Sequence, residues 1–160
     1  KPACVLCPLS QARVARKEGA PETYPRRLPR PERPQRRGAV FVAIRADGAV
    51  LLRTRPPKGL LGGMTEFPGT EWSADFDFSH ALDFAPLPLA WKARAGEVTH
   101  VFTHFALALV VYVGAAPQAR SAPVGARWVA ANAVAEEALP SLMRKVAAHA
   151  GLELGSRKEN

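Results

Sequence analysis

Between Arg53 and Gly69 the chain reads RTRPPKGLLGGMTEFPG, and residue type and spacing first suggest chemistry there. Glycine and proline alternate with apolar residues, and glycine, having no Cβ, lets backbone come close to a ligand. Arg53, Arg55 and Lys58 in the same string, with Arg94 further on, are cations suited to phosphate. A second grouping is Phe102-Thr103-His104-Phe105, a hydroxyl that can donate or accept and an imidazole between two aromatic rings. On spacing alone the two rings read first as core residues on adjacent strands, with His104 a satisfied turn residue and His100 a plain strand residue. Cys4 and Cys7 form a third grouping. Two thiols do not complete a metal site, and His80, His100, His104 and His149 have no zinc-ligand spacing to them.

The elements that must position these groups follow from patterning. Gly38–Arg45 and Ala49–Arg55 are β-like runs around Ala46-Asp47-Gly48, a hairpin signal. Met64–Phe67 reads as a short strand closed by Pro68-Gly69. Ser73 is expected to cap a helix over Ala74–Phe84, with Phe76, His80 and Asp83 at helical spacing and Pro86 and Pro88 ending it. Ala90–Arg94, Glu97–His104, Phe105–Val113 and Gly125–Val129 read as further strands. Pro140 opens a last helix, Ser141–Ala150, whose Leu142, Met143, Val146, Ala147 and Ala150 share one face, and Gly151 stops it. Trp72, Trp91 and Trp128 are assigned to core or sheet packing. The sum is an α+β domain with several antiparallel strands, one helix in the middle and one at the end.

Charge divides the chain. Residues 1–37 carry ten of the 22 Lys and Arg but three of the 14 Asp and Glu, so nearly all of the net +8 lies there and the remainder is close to neutral. Gly19–Arg37 holds five Pro and six Arg without helical or strand periodicity. It reads as an extended, exposed connector, either a plain solvated linker or an arm for phosphates or an acidic partner. The longest apolar run, Phe105–Val113, has nine residues, far short of the roughly 20 that span a membrane as a helix. No signal peptide is seen, and two cysteines build no disulfide framework, so a cytoplasmic location is expected. The first residue is Lys1, and the chain is expected to be a piece of a longer one.

The string Arg53–Gly69 resembles the C-terminal, Nudix-like domain of the adenine DNA glycosylases, the A/G-specific MutY family. Three more pieces agree in order. Cys4-x2-Cys7 before a basic stretch is similar to part of that family's iron–sulfur motif; Phe102-Thr103-His104-Phe105 is similar to its Phe-Ser-His loop; Leu139–Lys145 is similar to its closing helix. The resemblance runs from Lys1 to about Ala150.

It implies a Nudix-like domain over 38–154, with a mixed or antiparallel sheet packed by two helices. Before it come a remnant of the iron–sulfur region, 1–18, and a Pro/Arg-rich interdomain connector, 19–37; a tail, 155–160, follows. It implies a module that senses 8-oxoguanine opposite adenine in double-stranded DNA, working with the glycosylase domain of its own chain and non-catalytic alone. The excising carboxylates of the family belong to the helical domain, not to these residues. The resemblance further implies that Thr103, in place of the family's serine, contacts the damaged base with Phe102 and His104, and that Arg53, Arg55, Lys58 and Arg94 contact DNA. Cys4 and Cys7 would be two ligands of a [4Fe–4S] cluster in the full-length parent, but Arg13 stands where the fourth cysteine belongs, so the parent either lacks the cluster or holds it with a different ligand, and two thiols alone are expected to hold no cofactor here. The connector is expected to serve as a docking strip for a repair or replication partner, and no membrane is expected to be involved. A rival is a free-standing Nudix nucleotide pyrophosphatase. Five residues after Gly69 stands Asp75, but Asp83-Phe84-Ala85-Pro86 replaces the Arg-Glu-x-x-Glu-Glu that would hold a divalent cation, and Glu66, Glu71 and Asp77 do not restore it. Glu66 is expected to serve a loop hydrogen bond. A third reading is a protein-interaction module using the Pro/Arg strip.

Overall fold

The computed structural model describes residues 33–154 without a break, and before them residues 14–24 with Leu6, Pro8 and Ala12. Cys4, Cys7 and Arg13, the connector over 25–32 and the tail 155–160 lie outside the described residues. The chain divides into two units, Lys1–Glu32 and Arg33–Asn160. In the first, one helical turn, α1 (Val14–Lys17), precedes a 3-10 turn at Pro21–Thr23, and the Tyr24 hydroxyl donates to the Glu18 carboxylate.

The second unit is built on a six-stranded mixed sheet: β1 (Gln35–Arg45), β2 (Val50–Thr54), β3 (Thr65–Glu66), β4 (Lys92–Val101), β5 (Ala106–Ala116) and β6 (Ala126–Val129). The order is β3-β2-β1-β5-β4, with β6 on the other edge of β2. The Asp-Gly hairpin joins β1 to β2, where Ile44 faces Val50, and the Asp47 carboxylate accepts from Ala49 N at 3.1 Å. After that pair β2 leaves β1, and Pro68–Ser73 takes its place along the vacated edge: Phe41 N donates to Pro68 O at 2.8 Å and Arg37 N to Ser73 O at 2.7 Å. β1 runs parallel to β5, from Gln35 opposite Ala106 to Arg45 opposite Ala116.

Side chains alternate across a strand, so each sheet face has its own core. Val40, Val42, Leu107, Leu109 and Val111 face α2 (Ser141–Ala150), which lays Leu142, Met143, Val146 and Ala147 on them. Fully burying each of these Val, Leu and Met side chains contributes about 1.5–3 kcal/mol, and the Ala147 methyl less. The other face, with Ala39, Phe41, Ala43 and Leu51, is covered by Phe76, Ala81, Leu87, Leu89 and Trp91.

The final helix spans the expected residues, and Gly151 ends it at φ +84°. The middle helix does not. Ser73 is drawn into backbone pairing with Arg37, so it cannot cap, and Asp77 instead accepts from Ser79 N to start a 3-10 segment, Phe78–Phe84. Ala90–Arg94 and Glu97–His104 are not separate strands. They form β4, with a bulge between Ala93 and Glu97, and β4 stops at Val101 because Phe102 N turns back to Phe105 O. No helix among the described residues is long and apolar enough to cross a membrane.

Candidate functional site

Phe102–Phe105 is the tight turn between β4 and β5, closed by Phe102 N donating to Phe105 O at 2.9 Å. Its two rings point into the protein: Phe105 is buried and Phe102 half-buried, while Thr103 and His104 are exposed at the tip. The turn therefore has aromatic packing beneath and a hydroxyl and an imidazole above.

An aromatic cluster supports the turn. The Phe102 and Phe105 centroids are 4.8 Å apart, Trp72 stacks on Phe102 at 5.8 Å, and His100 meets Phe102 edge-on at 4.6 Å. Trp72 lies over β1 because the Pro68–Ser73 segment runs beside that strand, so the end of the Gly-rich string and the Phe-Thr-His-Phe turn meet in space. The Arg55 guanidinium covers Trp72 at 5.2 Å, and that of Arg36 covers Phe105 at 4.4 Å.

Glu66 organises the other side. It is only 3% exposed. Its carboxylate accepts from Arg53 Nε at 2.7 Å and from Arg55 Nη1, while Arg53 Nη2 also reaches Gly69 O at 3.2 Å. Arg53 and Glu66 are cross-strand partners in β2 and β3, so the register delivers the pair. Arg55 Nε donates to Leu60 O at 3.1 Å, tying the Pro56–Gly63 loop to the same carboxylate. Glu66 thus serves loop hydrogen bonds, with arginines as donors.

The other expected site residues are spread out. Lys58 is exposed on the loop. Arg94 is at the far end of β4, about 20 Å from the turn at strand rise, and donates to Ala150 O at 3.0 Å at the C-terminal end of α2. Asp75 and Asp83 are exposed, Asp83 beside His80 at 3.2 Å, on a segment too short and tightly wound to align carboxylates over successive helical turns. Among the described residues no three His, Cys, Asp or Glu cluster as metal ligands would.

Electrostatics around the turn are basic. Lys145 donates to Thr99 O at 3.0 Å, and burial together with the Lys145 charge pushes the His100 pKa down. His100 Nδ1 is buried and has no hydrogen-bond partner among the described residues. Arg36 is the contribution that motif reading missed. The signal available was its place at the end of the arginine run just before an apolar strand, but its neighbour Phe105 is supplied by the long-range β1–β5 pairing.

The NUDIX domain family matches residues 39–149. The adenine DNA glycosylase of Mus musculus is 36% identical over 106 residues, 61% of this chain and 21% of that protein. That of Homo sapiens is 30% identical over 138 residues, 77% of this chain and 25% of that protein. The chain thus spans between a fifth and a quarter of the length of these curated relatives. Among solved structures, the C-terminal domain of mouse MUTYH in complex with human PCNA is similar at a TM-score of 0.60 and 32% identity, over 71% of this chain and 86% of that one. A MutT protein from Methanosarcina mazei Go1 matches at 0.57 with 17% identity over 72% and 91%, a likeness of fold.

Proposed function

For a chain that belongs to the NUDIX domain family and is homologous to the C-terminal domain of the adenine DNA glycosylases, we propose that it is the part of such an enzyme that reads 8-oxoguanine opposite adenine, while a partner domain of the same enzyme flips and excises the adenine. The observation that carries this reading is the exposure of Thr103 and His104 on a turn whose flanking rings are anchored in an aromatic cluster. Normal guanine presents an acceptor at N7. Its 8-oxo form carries a proton on N7 and an oxygen on C8. A reader must therefore offer an acceptor at N7, which a hydroxyl provides. Thr103 offers that acceptor and His104 a ring nitrogen for the neighbouring groups.

Phe102 holds the height of the turn. Lys58 is exposed and able to meet a phosphate, Arg53 and Arg55 order the loop that carries it, and Arg94 stands apart from this surface. The structure of the mouse domain with human PCNA supports a protein of that kind as a partner of the wider assembly, with the Pro/Arg connector as one candidate strip. Likeness to Nudix hydrolases is distant and speaks to the fold, so nucleotide hydrolysis is not the favoured activity.

The test is an amide NMR titration with two short duplexes that differ only in carrying 8-oxoguanine:A or G:A. Larger shifts at Phe102–Phe105 with the oxidised duplex are expected. Equal, salt-sensitive shifts confined to the arginine-rich connector would sink the reading.

A further inference from the structure

The last residues of the connector enter the sheet beside the reading turn. Ala106 N donates to Pro34 O at 3.0 Å, and Gln35, Arg36 and Arg37 pair in parallel with Ala106, Leu107 and Ala108. Arg36 thereby falls on the face of β1 that also carries Val40 and Val42. Its guanidinium carbon rests 4.4 Å from the centroid of Phe105, the residue whose carbonyl closes the turn.

Three properties distinguish this arginine from its neighbours. It is exposed, and no carboxylate among the described residues pairs with it. Arg53 and Arg55, by contrast, are engaged by Glu66, and Arg94 is engaged at the far end of β4. Its backbone is held by strand pairing and its guanidinium by a ring, so less conformational freedom remains to be lost when it takes a ligand. Stacking on a ring leaves the N–H edge of a guanidinium open, and that edge is the fork that grips a phosphate. Phe105 is two residues from Thr103, so at most about 7 Å of chain separates them. A base read at Thr103 therefore brings its own strand's backbone past Arg36.

We propose that Arg36 is the backbone anchor of the reading turn, a phosphate contact that sets the register of the duplex against Thr103 and His104. This rests on the DNA-reading assignment above. A phosphate contact positions without discriminating bases, so its loss must act alike on damaged and undamaged duplexes.

Binding of the 160-residue chain to fluorescent duplexes holding 8-oxoguanine:A or G:A, followed by anisotropy across a potassium chloride series, tests it. Arg36→Met is expected to weaken both duplexes about five- to tenfold and to flatten the plot of log affinity against log salt by about 0.9, the loss of one neutralised phosphate. Arg36→Lys is expected to restore the slope and only part of the affinity, since an ammonium lacks the fork. Circular dichroism confirms folding; if Arg36→Met does not fold, Arg36→Gln and Arg36→Lys carry the comparison. An unchanged slope in a folded, uncharged variant overturns the anchor, and so does a loss confined to the 8-oxoguanine duplex, which would make Arg36 a support for Phe105. The DNA-reading assignment fails separately, if the parent chain binds both duplexes equally while the Arg36→Met slope still falls. A parent chain that binds neither duplex overturns both.

Discussion

Trp72 rests directly on Gly38: a Cβ at position 38 would lie 3.0 Å from Trp72 Cδ1 and 2.9 Å from Thr70 Oγ1. The missing side chain is what lets an indole lie across the end of β1 and reach Phe102. Gly38→Ala is expected to destabilise the domain by about 1–3 kcal/mol through overpacking, because Trp72 is held between Arg55 and Phe102 and has little room to retreat. Urea unfolding measures the loss, and amide shifts at Thr103 and His104 in the folded variant would show the disturbance reaching the turn. A variant as stable as the parent, with those amides unmoved, would separate Trp72 from the turn.

Glu66 provides the second test. Its side chain is 4% exposed while those of Arg53 and Arg55 are 39% and 23% exposed. Removing the carboxylate strands two guanidiniums that remain partly solvated, so the penalty falls below that of a wholly buried pair. Glu66→Ala is expected to cost about 2–3 kcal/mol in urea unfolding, and to raise hydrogen exchange across Pro56–Gly63, whose Leu60 carbonyl is tied to Arg55. Unchanged exchange in that loop would show that Arg55 does not depend on the carboxylate for its position.

The pH dependence has a defined sign. Burial first, and then the charge of Lys145, disfavour the imidazolium of His100, so its pKa in the folded chain lies below the ordinary 6.5. As pH falls, the unfolded chain takes up that proton first. The His100 contribution is therefore intact above about pH 6.5 and is lost as pH drops through that value toward the lower folded pKa. His100→Gln is expected to remove this part of the slope, and Lys145→Met to shrink it, when urea midpoints are compared between about pH 7.5 and about pH 5.5. A His100 ring signal titrating above 6.5 in NMR would reverse the sign and refute the account.

Which features were legible in the sequence follows from how local their causes are. The hairpin at Asp47-Gly48 and the helix Ser141–Ala150 depend on near neighbours, turn chemistry in one case and a five-residue apolar face in the other, and both appear as read. The helix expected over Ala74–Phe84 failed because Ser73 has a distant claim on it, its backbone pairing with Arg37, which no local pattern records. The parallel direction of β1 and β5 was hidden for a related reason: period-two burial shows which face is inside and not which way the neighbour runs. At the site, Thr103 and His104 stood out by motif. Arg36 did not, since its ring partner Phe105 comes from a strand 69 residues further along the chain, and the end of β4 on which Arg94 falls is set by the β4–β5 pairing rather than by local pattern.

Thr103 is the sharpest test of the reading itself. Its hydroxyl is exposed at the tip of the turn, so replacing it leaves the packed rings of Phe102 and Phe105 in place. Thr103→Val keeps the shape and removes the only atom of that side chain able to accept a hydrogen bond from the N7–H of 8-oxoguanine. One net neutral hydrogen bond contributes about 0.5–1.5 kcal/mol, so affinity for the 8-oxoguanine:A duplex is expected to fall roughly two- to tenfold while that for G:A holds. Thr103→Ser keeps the hydroxyl and is expected to keep the preference. Anisotropy titrations of the three proteins on the two duplexes give the ratios directly. A valine variant that prefers the oxidised duplex as strongly as the parent would remove Thr103 from the reading and leave His104 as the residue to test next, by His104→Ala on the same pair of duplexes.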